Sequence, residues 1–224
     1  SGADAICEKP LVLNPWNIDG LREIESDSGR RINTILQLRV HPSIVALREK
    51  ILSSVNDAKH EVDLTYITSR GRWYLQSWKG DRNKSGGIAT NIGVHFFDML
   101  HFLFGELQEN RVFLSSPTKS GGYLEYERAR VRWFLSLDVQ DVPVAQRETG
   151  QRTYRSITLD GDEIEFSGGF ADLHTRSYEE ILAGRGFGLD DNRSAIEAVS
   201  TIRGATPETP APNAHPLILS VLQK

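Results

Sequence analysis

Cysteine is nearly missing from this chain of 224 residues: Cys7 stands alone, which excludes an intrachain disulfide and any cysteine-rich zinc site and leads us to expect a reducing, cytoplasmic setting. No apolar run approaches the roughly 18 residues that a membrane span requires. The opening residues also lack a basic segment followed by an apolar one, so neither a span nor a signal peptide is read. Excess positive charge is missing too. Twenty-six Lys and Arg stand against thirty Asp and Glu, a formal net charge of -4, which gives no general electrostatic reason to bind nucleic acid or an anionic membrane. A Gly-x-Ser-x-Gly elbow is absent, which argues against a serine nucleophile, and so is a glycine-rich phosphate loop between a strand and a helix. What remains is an ordinary globular composition, 39% hydrophobic and 25% charged, long enough to bury one large core or two modest ones.

The stretch from Ser85-Gly86-Gly87 to Asp98 reads as a glycine pair opening into a helix. Asn91, His95 and Asp98 fall at i, i+4 and i+7 and so line one face. Beside them Ile92, Phe96, Met99 and Leu103 form an apolar stripe for a core. The same pattern fits a core helix whose histidine is satisfied by a neighbour, so a second motif has to decide. That motif lies at the start. Residues 3–7 read as a short buried strand ended by Glu8-Lys9-Pro10. Asn14-Pro15 opens a helix carrying Ile18, Leu21 and Ile24 and stopping at Gly29, and a second strand is expected over 32–38. Strand, helix, strand implies parallel pairing by a right-handed crossover. Lys9 then sits at the carboxyl end of a parallel strand, the edge where open α/β sheets bind ligands. A lysine there is often merely solvated. Paired with His95 it suits the oxidation of a carbinol, which needs a group to accept the hydroxyl proton and a fixed positive charge to hold the oxygen.

Arg39 lies just beyond the second strand, and Pro42 is expected to open a helix running through Val55. After a half-exposed strand from Val62 to Ile67, residues 69–85 form a polar loop dense in Arg70, Arg72, Trp73, Tyr74, Trp78, Lys79, Arg82 and Lys84. Basic groups interleaved with aromatics can hold a phosphate and stack a sugar or base; the plainer alternative is a loop pinned by aromatic packing. Past Gly105, strands are expected over 111–114, 123–127, 130–137 and 153–159, the last folding through Asp160-Gly161 into a hairpin with 163–166. Helices over 172–183 and 192–203 and a surface tail complete the chain. Gly184-Arg185-Gly186-Phe187-Gly188 follows a helix, so it reads as a helix stop and tight turn. His95, Asp98 and His101 have a spacing open to a metal, but a 120° arc spreads them too widely. The alternation of Val131, Trp133 and Leu135 leaves an apolar sheet face expected to bury against a partner subunit.

Taken together, Glu8-Lys9-Pro10, Gly86-Gly87, Gly93, His95 and Asp98 resemble the Gfo/Idh/MocA family of NAD(P)-dependent oxidoreductases. Within it, Glu8-Lys9-Pro10-Leu11-Val12-Leu13, residues 66–81 and Asp172-Leu173-His174-Thr175-Arg176-Ser177-Tyr178 are similar to the UDP-N-acetyl-2-amino-2-deoxyglucuronate dehydrogenases of the WlbA and WbpB type. The resemblance implies a fold of α/β plus α+β, with residues 1–41 as the remnant of a parallel Rossmann sheet. Residues 42–204 would then be an open antiparallel sheet packed with helices for substrate and oligomer contacts, and 205–224 a tail. It implies NAD as cofactor, met by Glu8, Lys9 and Pro10, with Lys9 the catalytic lysine beside the nicotinamide and His95 the proton acceptor. Oxidation would fall on the C3 hydroxyl of a UDP-linked acetamido uronic acid, on the route to bacterial surface polysaccharide such as the O-antigen of lipopolysaccharide. Candidate substrate contacts are Asn91, Arg39, Arg70, Arg72, Tyr74, Trp78, Lys79 and Asp98. No metal is implied, and a homo-oligomer is. Asn91 stands where many relatives have aspartate, and Ser85 where a third glycine is common. The family's phosphate loop is missing, and the first residues match the fifth strand of its Rossmann half. About a hundred residues of a relative are therefore expected to be absent on the amino side, with negligible NAD binding by the chain as given. The competing reading is a non-catalytic module that binds a sugar nucleotide or forms an oligomer; a weaker third is a metal-dependent lyase or isomerase using His95, Asp98 and His101.

Overall fold

The computed structural model describes residues 2–54, 58–164 and 172–223, apart from the side chain of Arg72; Val55 and Phe166, expected to close a helix and a hairpin, lie outside the described residues. A parallel pair opens the chain. β1 (Ala5–Cys7) and β2 (Ile32–Thr34) run in register from Ala5 opposite Ile32 to Cys7 opposite Thr34, joined by α1 (Pro15–Ser28). Pro15 suits the first helical position because its φ is preset and its missing N–H would have no partner there. Gly29 ends α1 at φ 64°, in the left-handed region that glycine enters without a Cβ penalty.

β2 is shorter than its apolar run of 32–38 suggested. Thr34 N–H donates to the Phe187 carbonyl and Ile35 N–H to the Cys7 carbonyl, after which Gln37–Val40 coil into a 3-10 turn. The turn buries both Leu38 and Arg39, whereas a continuing strand would send them to opposite faces. His41 then caps α2 (Pro42–Ser53), its Nδ1 accepting from Ser43 N–H at 3.2 Å.

The second sheet has six strands in the order β4-β5-β6-β3-β7-β8. They are β3 (His60–Thr68), β4 (Leu107–Ser115), β5 (Lys119–Tyr126), β6 (Ala129–Ser136), β7 (Thr153–Leu159) and β8 (Asp162–Glu163). The sheet is mixed, where antiparallel pairing throughout was expected. β3 lies parallel to β6 from His60 opposite Ala129 to Ile67 opposite Ser136. Alternation reveals a strand but not its neighbour, and the long connection between β3 and β6 is what permits the parallel alignment. Between β3 and the next long helix the expected loop contains two short helices, α3 (Arg72–Gln76) and α4 (Arg82–Ser85).

One sheet face carries the core. Val62, Leu64, Leu124, Val131, Trp133, Leu135 and Ile157 pack beneath α5 (Val94–Phe104) and α8 (Leu189–Gly204), and Ile18 of α1 and Leu38 belong to the same cluster. Trp133 meets Phe97 edge-on, with ring centroids 5.3 Å apart. Val131, Trp133 and Leu135 are thus consumed by the chain's own helices and are fully buried. The apolar face expected to meet a partner is the internal one.

The other face is polar at one end and apolar at the other. Glu61 stands beside Arg130 and Asp63 beside Arg132. Farther along, Ile67, Phe113 and Phe134 are covered by α9 (Pro216–Leu222), whose Ile218 is fully buried. Gly121 makes room for it, since a Cβ there would lie 2.7 Å from Ile218 Cδ1. The segment read as a surface tail therefore ends in a packed helix. α6 (Val144–Glu148) precedes β7, and α7 (Leu173–Leu182) stands close to the 3-10 turn after β2.

Candidate active site

The helix that carries His95 begins irregularly. Gly86 and Gly87 both adopt left-handed φ, 75° and 77°, and a Cβ on Gly86 would fall 2.6 Å from Thr90 Oγ1, which donates to the Gly86 carbonyl at 2.9 Å. Ala89–Gly93 then winds as a π-helix before α5 continues in α geometry. A π turn contains more residues than an α turn, so side chains before and after it change phase. Asn91 and His95 still reach one cavity. Asp98, three residues past His95 in regular α geometry, does not line it.

That cavity, of about 320 Å³, is lined by Lys9, Asn91 and His95 among others. Lys9 Nζ donates to the Asn91 main-chain carbonyl at 3.0 Å, so what Asn91 offers the lysine is backbone. Arg70, Lys79 and Arg155 supply three more cations, Gln37 a polar amide, and Tyr66 and Phe96 apolar walls. No carboxylate lines it among the described residues. Burial pulls the Lys9 ammonium down to about 8, opposed by Glu8 and aided by Arg70 and Lys79. Burial also holds the His95 imidazole well below its ordinary range, with Lys9, His174 and Arg155 adding repulsion. At neutral pH His95 is therefore an unprotonated base beside a predominantly protonated lysine.

Other expected site residues are placed differently. Arg39 and Asp98 meet each other and not the cavity: Nε and Nη2 of Arg39 donate to the Asp98 carboxylate at 2.7 to 3.1 Å, and Nη1 donates to Asp191 Oδ1 at 3.0 Å. Phe102 and Phe187 flank the guanidinium at 5.3 and 5.2 Å. Burial raises the Asp98 carboxyl, with Arg39 opposing. This network ties the turn after β2 to α5 and to the start of α8. Its buried charges satisfy one another, so direct substrate contact by Arg39 or Asp98 is not what the geometry offers. His101 Nδ1 lies 3.0 Å from the Gly105 carbonyl, and among the described residues no group of three or more His, Cys, Asp or Glu could hold a metal.

Trp78 and Lys79 line an adjoining cavity of about 480 Å³ with Lys9, Pro10 and Asn91, and Lys79 Nζ stands 5.8 Å from the Trp78 ring centre. Tyr74 is buried and borders a third cavity beside Gly86 and Gly87 instead. Glu8 is exposed and pairs with His174 Nε2 at 3.3 Å. The Arg72 side chain lies outside the described residues. Sequence reasoning passed over Arg155, Gln37 and Tyr66. Arg155 did leave a signal: on β7 it shares the inward phase of Ile157, where a cation is out of place without a task.

Lys9, just past the two-stranded parallel sheet, and His95, on the helix that covers the six-stranded sheet, thus line one cavity. Residues 58–141 match the pattern described as "Oxidoreductase family, C-terminal alpha/beta domain", GFO_IDH_MocA_C. The chain is 53% identical to the WlbA (WbpB) dehydrogenase from Thermus thermophilus, solved in complex with NAD and alpha-ketoglutarate. The likeness covers 96% of this chain and 70% of that one, with a TM-score of 0.92. A second structure of that dehydrogenase, in complex with NAD and UDP-GlcNAcA, matches at 52% identity and a TM-score of 0.91, covering 96% and 69%. YteT of Bacillus subtilis (strain 168) is 28% identical over 108 residues, which are 47% of this chain and 25% of that protein, so the match spans a quarter of this curated relative. The chain belongs to the Gfo/Idh/MocA family of oxidoreductases.

Proposed function

We propose that this chain supplies the substrate-binding and proton-transfer part of an NAD-dependent dehydrogenase that oxidises the C3 hydroxyl of a UDP-linked N-acetylamino glucuronic acid. The observation that carries this reading is the cavity in which a neutral His95 faces Lys9 and three further cations with no lining carboxylate among the described residues. Such a cavity favours a multiply anionic ligand, and a uronic acid on a diphosphate provides both kinds of anion. The complexes of the Thermus thermophilus relative support the same ligand classes.

His95 accepts the C3 hydroxyl proton, and Lys9, held by the Asn91 carbonyl, donates to the same oxygen as negative charge gathers on it. NAD, when bound, supplies the hydride-accepting carbon. Lys9 and Pro10, at the end of a parallel strand and lining the adjoining cavity, fit the nicotinamide end of that cofactor. Its pyrophosphate calls for backbone amides at a glycine-rich helix start, and among the described residues neither β1 nor β2 is followed by such a turn. These residues by themselves would hold NAD weakly.

The division at residue 41 into dinucleotide-binding and substrate-binding parts belongs to this proposal, as do a cytoplasmic setting and a role in lipopolysaccharide O-antigen synthesis. So does self-association through the outer sheet face, where Glu61, Asp63, Arg130 and Arg132 lie in facing rows. Among the described residues no helix is long and apolar enough to cross a membrane. The test is to incubate the enzyme carrying this chain with NAD and UDP-GlcNAcA and follow reduced nicotinamide by absorbance and the sugar by mass spectrometry. Loss of two hydrogens from the sugar is expected. Tight binding of the sugar nucleotide without turnover would favour the non-catalytic module instead.

A further inference from the structure

Four cations line the cavity, and the substrate class proposed above brings two kinds of anion, so each kind needs its own receiver. We propose that Arg155 is the residue that reads the sugar carboxylate, and that it sets the preference for a uronic acid over the neutral sugar nucleotide; this rests on the proposed function.

In a hexuronic acid the diphosphate leaves C1, the reacting hydroxyl C3 and the carboxylate C5, so the three groups occupy alternate ring positions and point to three separate sectors. Lys9 and His95 claim the hydroxyl sector. Of the remaining cations, Arg70 and Lys79 belong to the segment after β3 that also bears Trp78, which lines the adjoining cavity with Lys79 and is 59% exposed. That is the side suited to a diphosphate and a nucleoside reaching toward solvent. Arg155 comes from a different element, β7. It stands opposite Tyr66 in the antiparallel register, with its guanidinium 5.5 Å from the Tyr66 ring centre and 5.9 Å from that of Phe96, the neighbour of His95.

Those rings hold the arginine differently from its rivals. Tyr66 and Phe96 pack 4.9 Å apart, and a guanidinium kept against two aromatic faces loses little further freedom when it binds. Its planar fork matches a carboxylate with two parallel hydrogen bonds, whereas the Lys79 ammonium is a point charge better suited to a mobile phosphate. The electrostatics agree. Arg155 is among the charges that bear on His95, while Arg70 and Lys79 bear on Lys9.

The experiment compares UDP-GlcNAcA, UDP-GlcNAc and UDP by calorimetric titration of the protein, for wild type, Arg155→Gln, Arg155→Lys and Arg70→Gln. Wild type is expected to favour the uronate over the neutral sugar by about 10 to 100-fold, the value of one charge-assisted pair. Arg155→Gln should shrink that preference to within a few fold and leave UDP affinity unchanged. Arg155→Lys, which keeps the charge and the fold, should restore part of it. Arg70→Gln should weaken all three ligands alike. If both Arg155 variants retain the wild-type preference, or if Arg70→Gln alone abolishes it, the assignment to Arg155 is overturned. If wild type binds none of the three, the sugar-nucleotide reading itself fails, an outcome distinct from unchanged discrimination.

Discussion

Lys9 Nζ and the carbonyl oxygen of Asn91 are hydrogen-bonded at 3.0 Å across 82 residues of sequence. The bond joins the end of β1 to the π-helical turn that precedes His95, so the two halves of the proposed reaction centre are fixed to each other through the main chain. An ammonium has three donors, and the remaining two stay available for a substrate oxygen.

Replacing Lys9 or His95 by alanine in the active enzyme should lower kcat by about 100 to 10,000-fold. Binding should change far less, by the roughly 0.5 to 1.5 kcal/mol of one ordinary hydrogen bond. Steady-state kinetics and equilibrium titration with the sugar nucleotide separate the two effects. A His95→Ala enzyme with normal kcat would remove His95 from the mechanism.

The pH profile follows from the two charge states. Catalysis needs His95 unprotonated, so kcat/KM should rise as pH climbs through a value well below the ordinary 6.5 of histidine. It also needs Lys9 protonated, so activity should fall again near pH 8. A pH series of kcat/KM, repeated with Lys9→Arg, checks both limbs: the alkaline limb should move upward in the variant while the acid limb stays. An acid limb at 6.5 or above would mean that burial does not govern His95.

The Arg39–Asp98 pair should act on stability more than on catalysis. Both side chains are buried, so Asp98→Ala leaves the arginine short of its bidentate partner and should cost about 3 to 5 kcal/mol in urea unfolding. The double variant Arg39→Met with Asp98→Leu should lie nearer to wild type than the sum of its singles, because no fully buried charge is left unpaired; Asp191, which loses Arg39, is 38% exposed and keeps the Gly188 N–H. Additive losses would show that the two residues do not depend on each other.

His215 gives a second pH effect, on folding. Its Nδ1 accepts from Leu217 N–H at 3.2 Å and caps α9, while Nε2 meets Thr65 Oγ1 at 2.9 Å and the ring stacks on Phe134. Burial lowers its pKa to about 4, with Asp63 opposing and Arg132 assisting. As pH falls below 6.5 the unfolded chain takes up the proton first, so stability is lost between about pH 6.5 and 4, by about 3 kcal/mol. Urea unfolding at the two pH values measures this. His215→Asn, which can still cap a helix but cannot titrate, should show a smaller pH dependence.

That Lys9 and His95 line one cavity was legible in the sequence because strand, helix, strand order fixes which end of a strand holds a ligand, and because glycines and helical spacing mark the second segment. The partnership of Arg39 with Asp98 was not legible, since a buried cation and a buried carboxylate 59 residues apart look individually like substrate contacts. Asp98 was misplaced for a local reason as well: three residues of regular α-helix turn it about 60° from His95, enough to face Arg39 instead of the cavity. Trp133 and Leu135 revealed an apolar face correctly but not which layer would cover it, and α9 hid behind a stretch rich in proline and alanine.

The account depends most on His95 acting as the base toward a sugar hydroxyl. The direct measurement is a single-turnover experiment with NAD, the enzyme carrying this chain in excess and UDP-GlcNAcA deuterated at C3, comparing wild type with His95→Ala. The account predicts transfer of the C3 deuterium to the nicotinamide, with a rate at least about 100-fold slower in the variant and substrate affinity changed by no more than about 0.5 to 1.5 kcal/mol. Transfer from another carbon, or an equal rate in the two proteins, would contradict it.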